Sequence, residues 1–308
     1  MDQRAPPRPS SSAFYWCWVS SICACSSPTR RSPVAKKITL ARAAPTTLLV
    51  LWLIPTLFPF YWMLKSALGH AQDVYKPSLG IQNASLDNFV SLLSSTHFLA
   101  NATNSLKVAL AAACVVMACS ALGGYALARM RFKHKTLLAQ VVLFSYMFPE
   151  ILLGIPFFAM FQKIGLLNSL SGLALAHVTL SLPFGLWLMW QFYQSLPMSY
   201  EEAAQIDGAS KFQTFYRIML PLSIPALAAV FIFGFAASWN DYVLGLMLIR
   251  DDQMFTLPIA MSLFVQQMDL NWALIQAANV LLALPGLLLV LFGQKYLVRG
   301  LQTSGLAN

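Results

Sequence analysis

From Ala43 to Leu64 the chain runs for 22 residues without a charged side chain, and from Val108 to Ala128 it does so again for 21. As helices these runs are each about 32 Å long at 1.5 Å per residue, the thickness of a bilayer's hydrocarbon core. In lipid a backbone must satisfy its own polar groups, so a run of this length folds as a helix or not at all. Four more follow: Leu137–Phe161, interrupted by Glu150; Leu170–Phe192; Leu222–Leu248, which passes Asp241; and Trp272–Gln294. With 58% hydrophobic residues, 10% charged residues and a mean hydropathy of +0.63, the chain lies outside the range of soluble globular proteins. The expected fold is an all-α integral membrane protein of six transmembrane helices over residues 43–295. It is flanked by a basic N-terminal tail, 1–42, expected to be disordered, and a short C-terminal tail, 296–308.

The net charge of +9 raises nucleic acid as a partner, but the placement of the charge argues against it. Six spans put both termini on one side. That side collects seven Lys and Arg from the first tail, four from Arg129–Lys135, two from residues 199–221 and two from the last tail, 15 of the 20. Lysines and arginines stay with the cytoplasmic loops, so both termini are expected in the cytoplasm, with the lipid bilayer and not nucleic acid as the surroundings. The apolar patch Ala13–Cys25 is too short to cross a bilayer. Three of the five cysteines lie in this first stretch; Cys114 and Cys119 read as small buried apolar residues.

The longest polar insert in the second half runs from Ser199 to Pro225. Ser199 with Glu202 and Ser210 with Gln213 have the spacing of two capping boxes, and Gly208 stands between them, which predicts two short helices. Phe212, Phe215, Tyr216 and Met219 would form one apolar face on the second. Glu202-Ala203-Ala204, then Asp207-Gly208, and after nine intervening residues Ile218 followed by Leu220-Pro221, resemble the EAA loop of the permeases of binding-protein-dependent ABC importers. Asn104-Ser105, Tyr125-Ala126-Leu127-Ala128-Arg129, Gly165-Leu166-Leu167-Asn168, Trp239-Asn240-Asp241 and Val298-Arg299-Gly300-Leu301 extend the likeness to the sugar-importing, maltose-transporter-like branch.

That resemblance implies a type I ABC importer permease architecture in a bacterial inner membrane. Residues 199–221 would be a cytoplasmic coupling helix, with Glu202, Ala203, Ala204, Asp207, Gly208, Ile218, Leu220 and Pro221 meeting a separate ATPase. The implied partners are a second permease in a heterodimer, two ATPase subunits, an extracytoplasmic solute-binding protein and a sugar. A non-sugar solute, or a self-sufficient secondary transporter, are the alternatives. No phosphate-binding G-x-x-x-x-G-K-[ST] loop occurs, so ATP would be bound by the partner and the chain would be a non-catalytic subunit without a cofactor of its own. Carboxylates at membrane depth are functional suspects, which singles out Glu150 and Asp241, with the adjoining Asn240, as pathway residues. Asp241 is expected near the outer interface, and Tyr61, Trp62 and Tyr193 in the aromatic belt.

Overall fold

The computed structural model describes residues 34–70, 78–80, 84–95, 97–267 and 271–303. Residues 1–33, including Ala13–Cys25, and 304–308 lie outside the described residues, while residues 34–42 of the first expected tail and 296–303 of the last are helical. The chain divides into two units at Pro59/Phe60, and each is described by itself. The first contributes the helical stretch of α1 (Val34–Leu68) up to Pro59; the last turns of α1 open the second unit.

Helices joined by turns make up the second unit, with no strand among its described residues. Its elements are α2 (Asp87–Ser95), α3 (Phe98–Arg129), α4 (Lys135–Ser145), α5 (Glu150–Lys163), α6 (Leu170–Ser195), α7 (Ser199–Ile206), α8 (Lys211–Leu222), α9 (Ile224–Trp239), α10 (Val243–Leu248), α11 (Leu257–Gln267) and α12 (Trp272–Thr303). Among the described residues four helices are individually long and apolar enough to cross a membrane: Thr47–Leu68, α3, α6 and Trp272–Gln294. The count rises to six if each of two bent pairs is one span.

Two of the expected straight runs are broken. Leu137–Phe161 is broken between α4 and α5, whose axes meet at 95°, because Pro149 has no N–H to continue the ladder and holds its own backbone extended. The run Leu222–Leu248 is α9 alone, stopped at Asn240, where Asp241 turns the chain into the short α10. The second pair, at 73°, joins α8 to α9.

At the centre stands α3, packed against α6 and α9. Lipid tails are as apolar as leucine, so helices in a membrane associate through close packing rather than through water expulsion. The contact face of α3 is accordingly small: Ala109, Ala112, Ala113, Ser120 and Gly124. A Cβ on Gly124 would lie 2.6 Å from Met189 Cβ and 2.9 Å from the α6 backbone, and a Cβ on Gly185 would collide with Ser120 Oγ. Cys114 and Cys119, expected to be buried, are free thiols on the opposite, exposed face of α3, since the small-residue face is taken by Ala and Gly.

Side chains near the start of α3 secure the turn ahead of α11. Asn104 Nδ2 donates to the carbonyls of Gln253 (2.8 Å) and Phe255 (3.2 Å), and Ser105 Oγ accepts from Leu257 N at 2.7 Å. Asn168, in the left-handed region at φ 55°, accepts from the backbone N–H groups of Arg250 and Asp251. Trp239 stacks on Phe235 and donates to the Leu282 carbonyl of α12. Tyr193 is not in an aromatic belt: it is fully buried, edge-on to Tyr125 and within hydrogen-bond distance of Ser223 Oγ at 3.2 Å.

Candidate functional site

Two places gather the polar side chains that the rest of the fold does not need, and the first is the α7–α8 hairpin. Pro197 and Met198 already turn the chain, and the N–H groups of Glu201 and Glu202 both reach the Met198 carbonyl. Met198 is therefore the cap and Ser199 the first helical residue, so the capping box expected at Ser199 and Glu202 is absent. The one at Ser210 is present in both directions, Gln213 N to Ser210 Oγ and Ser210 N to Gln213 Oε1. Gly208, at φ 83°, closes α7: its N–H bonds the Gln205 carbonyl and that of Ala209 bonds Ala204, the paired bonds of a left-handed helix stop.

The apolar stripe on α8 is split along its length. On an ideal helix Phe215 and Met219 lie along one edge of that stripe and Phe212 and Tyr216 along the other. Only the first edge is covered; Phe215 and Met219 are buried while Phe212 and Tyr216 are 73% and 62% exposed. A π turn over Phe215–Met219 accompanies the split, immediately ahead of Pro221, which cannot donate to Arg217. Ile206, at the tip of α7, is 86% exposed.

Of the residues singled out by the sequence pattern, Glu202, Ala203, Asp207, Gly208 and Pro221 are exposed, Ile218 and Leu220 are half-buried, and Ala204, on the inner face of α7, is buried. The neighbour of Glu202 was not anticipated. Glu201 is buried, with Oε1 2.7 Å from Arg129 Nε at the end of α3. That approach is off hydrogen-bond angles and so acts as an ion pair. The other Glu201 oxygen accepts from Tyr125, while Arg129 donates to the Leu196 carbonyl at 2.8 Å and to Met198 Sδ. The hairpin is thereby fastened to α3 on one side and bare on the other.

The second place lies where α6 meets the end of α9 and the α4–α5 bend. Asp241, expected to be half-hydrated, has a side chain only 5% exposed. Its Oδ1 and Oδ2 accept from Leu244 N and Gly245 N, the free donors at the start of α10, where a carboxylate is favoured. His177 Nε2 approaches Oδ2 at 3.1 Å, and His177 Nδ1 is 2.6 Å from Ser238 Oγ. Glu150, first residue of α5, opens onto two adjoining cavities of about 330 and 100 Å3 that share it with Tyr146 and Leu180; His177 and Asp241 line the smaller. Asn240 is exposed and donates back to the Ala236 carbonyl. His177 is isolated in the sequence, 61 residues from Ser238, and only its lodging in an apolar helix could have marked it.

The model of the binding-protein-dependent transport system inner membrane component family matches residues 90–303. The trehalose/maltose transport system permease protein MalG of Thermococcus litoralis is 33% identical over 279 residues, covering 90% of this chain and 99% of that protein. The diacetylchitobiose uptake system permease protein NgcG of Streptomyces coelicolor is 31% identical over 269 residues, covering 83% and 89%. Among solved structures, a chain of a bacterial ABC transporter involved in the import of the acidic polysaccharide alginate superposes with a TM-score of 0.72 at 20% identity, over 88% of this chain and 99% of its own.

Proposed function

The chain belongs to the inner membrane components of binding-protein-dependent transport systems, and from that premise we propose that it forms half of the path by which an ATP-driven importer moves a sugar inward. A second permease completes the path in a heterodimer, a solute-binding protein delivers the sugar, and two ATPase subunits drive the cycle. Relatives named for trehalose/maltose and diacetylchitobiose support a carbohydrate cargo. Both termini and the α7–α8 hairpin face the cytoplasm, in keeping with the 15-to-5 division of basic residues.

One observation carries the coupling role: the hairpin is pinned from behind by a buried ion pair and presents uncovered apolar side chains in front. A monomer gains nothing by leaving Ile206, Phe212 and Tyr216 bare around the acid Glu202; a subunit that accepts them does. We assign them to a cleft of the ATPase, with Glu202 meeting a basic residue there and Ala203 leaving room for close approach. Closure of the cleft on ATP then pulls the hairpin, and through Arg129 it pulls α3. Two packings of the spans are interconverted as nucleotide and binding protein favour one or the other.

In proteoliposomes containing the complete importer, Glu202→Lys is expected to abolish binding-protein-stimulated ATP hydrolysis and uptake while leaving the membrane subunits assembled with each other. Wild-type uptake in that variant removes the coupling role of Glu202.

A further inference from the structure

The Glu150, His177 and Asp241 cluster does more than terminate helices. Asp241 has its helix start to cap, but Glu150 carries no hydrogen bond or ion pair among the described residues. His177 Nε2 is buried 3.1 Å from Asp241 Oδ2 off hydrogen-bond alignment, an electrostatic contact that leaves its hydrogen-bonding capacity unused. Irregular backbone at membrane depth survives where it lines a cavity, and the 95° bend between α4 and α5 is at this one.

Three aromatic rings stand in the two linings, Tyr146 in both, Phe148 in the larger and Phe233 in the smaller, and further rings pack behind them. Tyr146 lies 5.6 Å from Phe184 and 6.1 Å from Phe233, whose rings are 4.3 Å from each other, and Trp187 continues the group beyond Phe184. Flat rings beside acceptor oxygens suit a ligand with C–H faces and hydroxyl edges, and small-molecule sites combine such a lining with a few placed polar groups. A cavity of about 330 Å3 is within the range of such sites. Neither cavity has a lysine or arginine in its lining, and the one basic side chain, His177 in the smaller, already stands against Asp241.

We propose that the two adjoining cavities form a sugar subsite contributed by the chain itself, in which Tyr146 packs on a ring face, Glu150 bonds hydroxyls in the larger cavity and His177 bonds one that reaches into the smaller. It takes a neutral saccharide and rejects one bearing carboxylates. The proposal rests on the reading of the chain as a subunit of a sugar importer and adds where, and for which sugars, it makes contact. Glu150, exposed at the larger cavity, and Asp241, lining the smaller, both repel an anionic ring, which gives selection at this step.

The test uses the assembled importer in nanodiscs without its binding protein, with saturation-transfer NMR reading maltotriose as the neutral probe and trigalacturonate as the anionic one. Wild type is expected to bind maltotriose at least about tenfold better than trigalacturonate, a gap of roughly 1.4 kcal/mol. Glu150→Gln should narrow that gap, and Tyr146→Ala should weaken maltotriose, with gel filtration confirming intact assembly of both. Equal binding of the two probes by wild type, no binding of either, or an unchanged ratio in Glu150→Gln overturns the subsite. Binding-protein-stimulated ATP hydrolysis on the same nanodiscs tests the importer separately; if it is missing while the probe preference holds, the importer reading falls and the subsite stands.

Discussion

Two glutamates, Glu201 on α7 and Glu150 on α5, occupy similar positions, each in the first turn of a short helix that follows a proline. Glu201 is buried and engaged on both oxygens, by Arg129 and by Tyr125. Glu150 is exposed at a cavity, and its carboxylate has no hydrogen bond or ion pair among the described residues. A carboxylate that a fold needs for its own integrity is given partners, because removing it from water without them is expensive. One left facing a cavity is available to something that comes and goes. The hairpin's acid is therefore part of a joint, and the cavity's acid part of a reception surface.

The largest effect that could break this contrast is at the joint. Arg129→Ala strands Glu201 in a buried position and is expected to destabilise the hairpin–α3 contact by about 3–5 kcal/mol. Loss of ATPase subunits from the purified complex and a lowered thermal midpoint would register it. A complex as stable as wild type would mean that the bridge contributes nothing. Next in size is Gly208→Ala, which forces a Cβ into the left-handed region at φ 83° for about 1–2 kcal/mol. The position has open space around it, so the strain is in the backbone alone, and protease cleavage between α7 and α8 should rise. The smallest is Glu150→Gln, expected to shift stability by no more than about 0.5 kcal/mol, since no partner is lost. A large loss on thermal melting would show Glu150 to be another joint and erase the distinction.

The sequence carried much of the hairpin, because caps and glycine stops are local chemistry: Ser210, Gln213 and Gly208 each act on groups within a few residues. It could not tell Glu201 from Glu202. Neighbours on a helix point about 100° apart, and which one faces inward was decided by Arg129, more than 70 residues away. The order of apolar runs was legible for the same reason that spans are, through composition over long windows. The break at Pro149 was not, since prolines are tolerated within membrane helices and only surrounding contacts decide between a kink and a right-angled turn. Nor could the grouping of Glu150, His177 and Asp241 be foreseen, because it depends on three separate elements converging.

Asn104 and Arg129 lie 25 residues apart on α3, about 38 Å along its axis. One end grips the turn before α11 and the other grips the hairpin, with no break between them. Such a strut cannot be shifted at one tip without displacing the other, so a tug felt where α7 docks is delivered a full membrane's thickness away without any relay of loosely fitted parts.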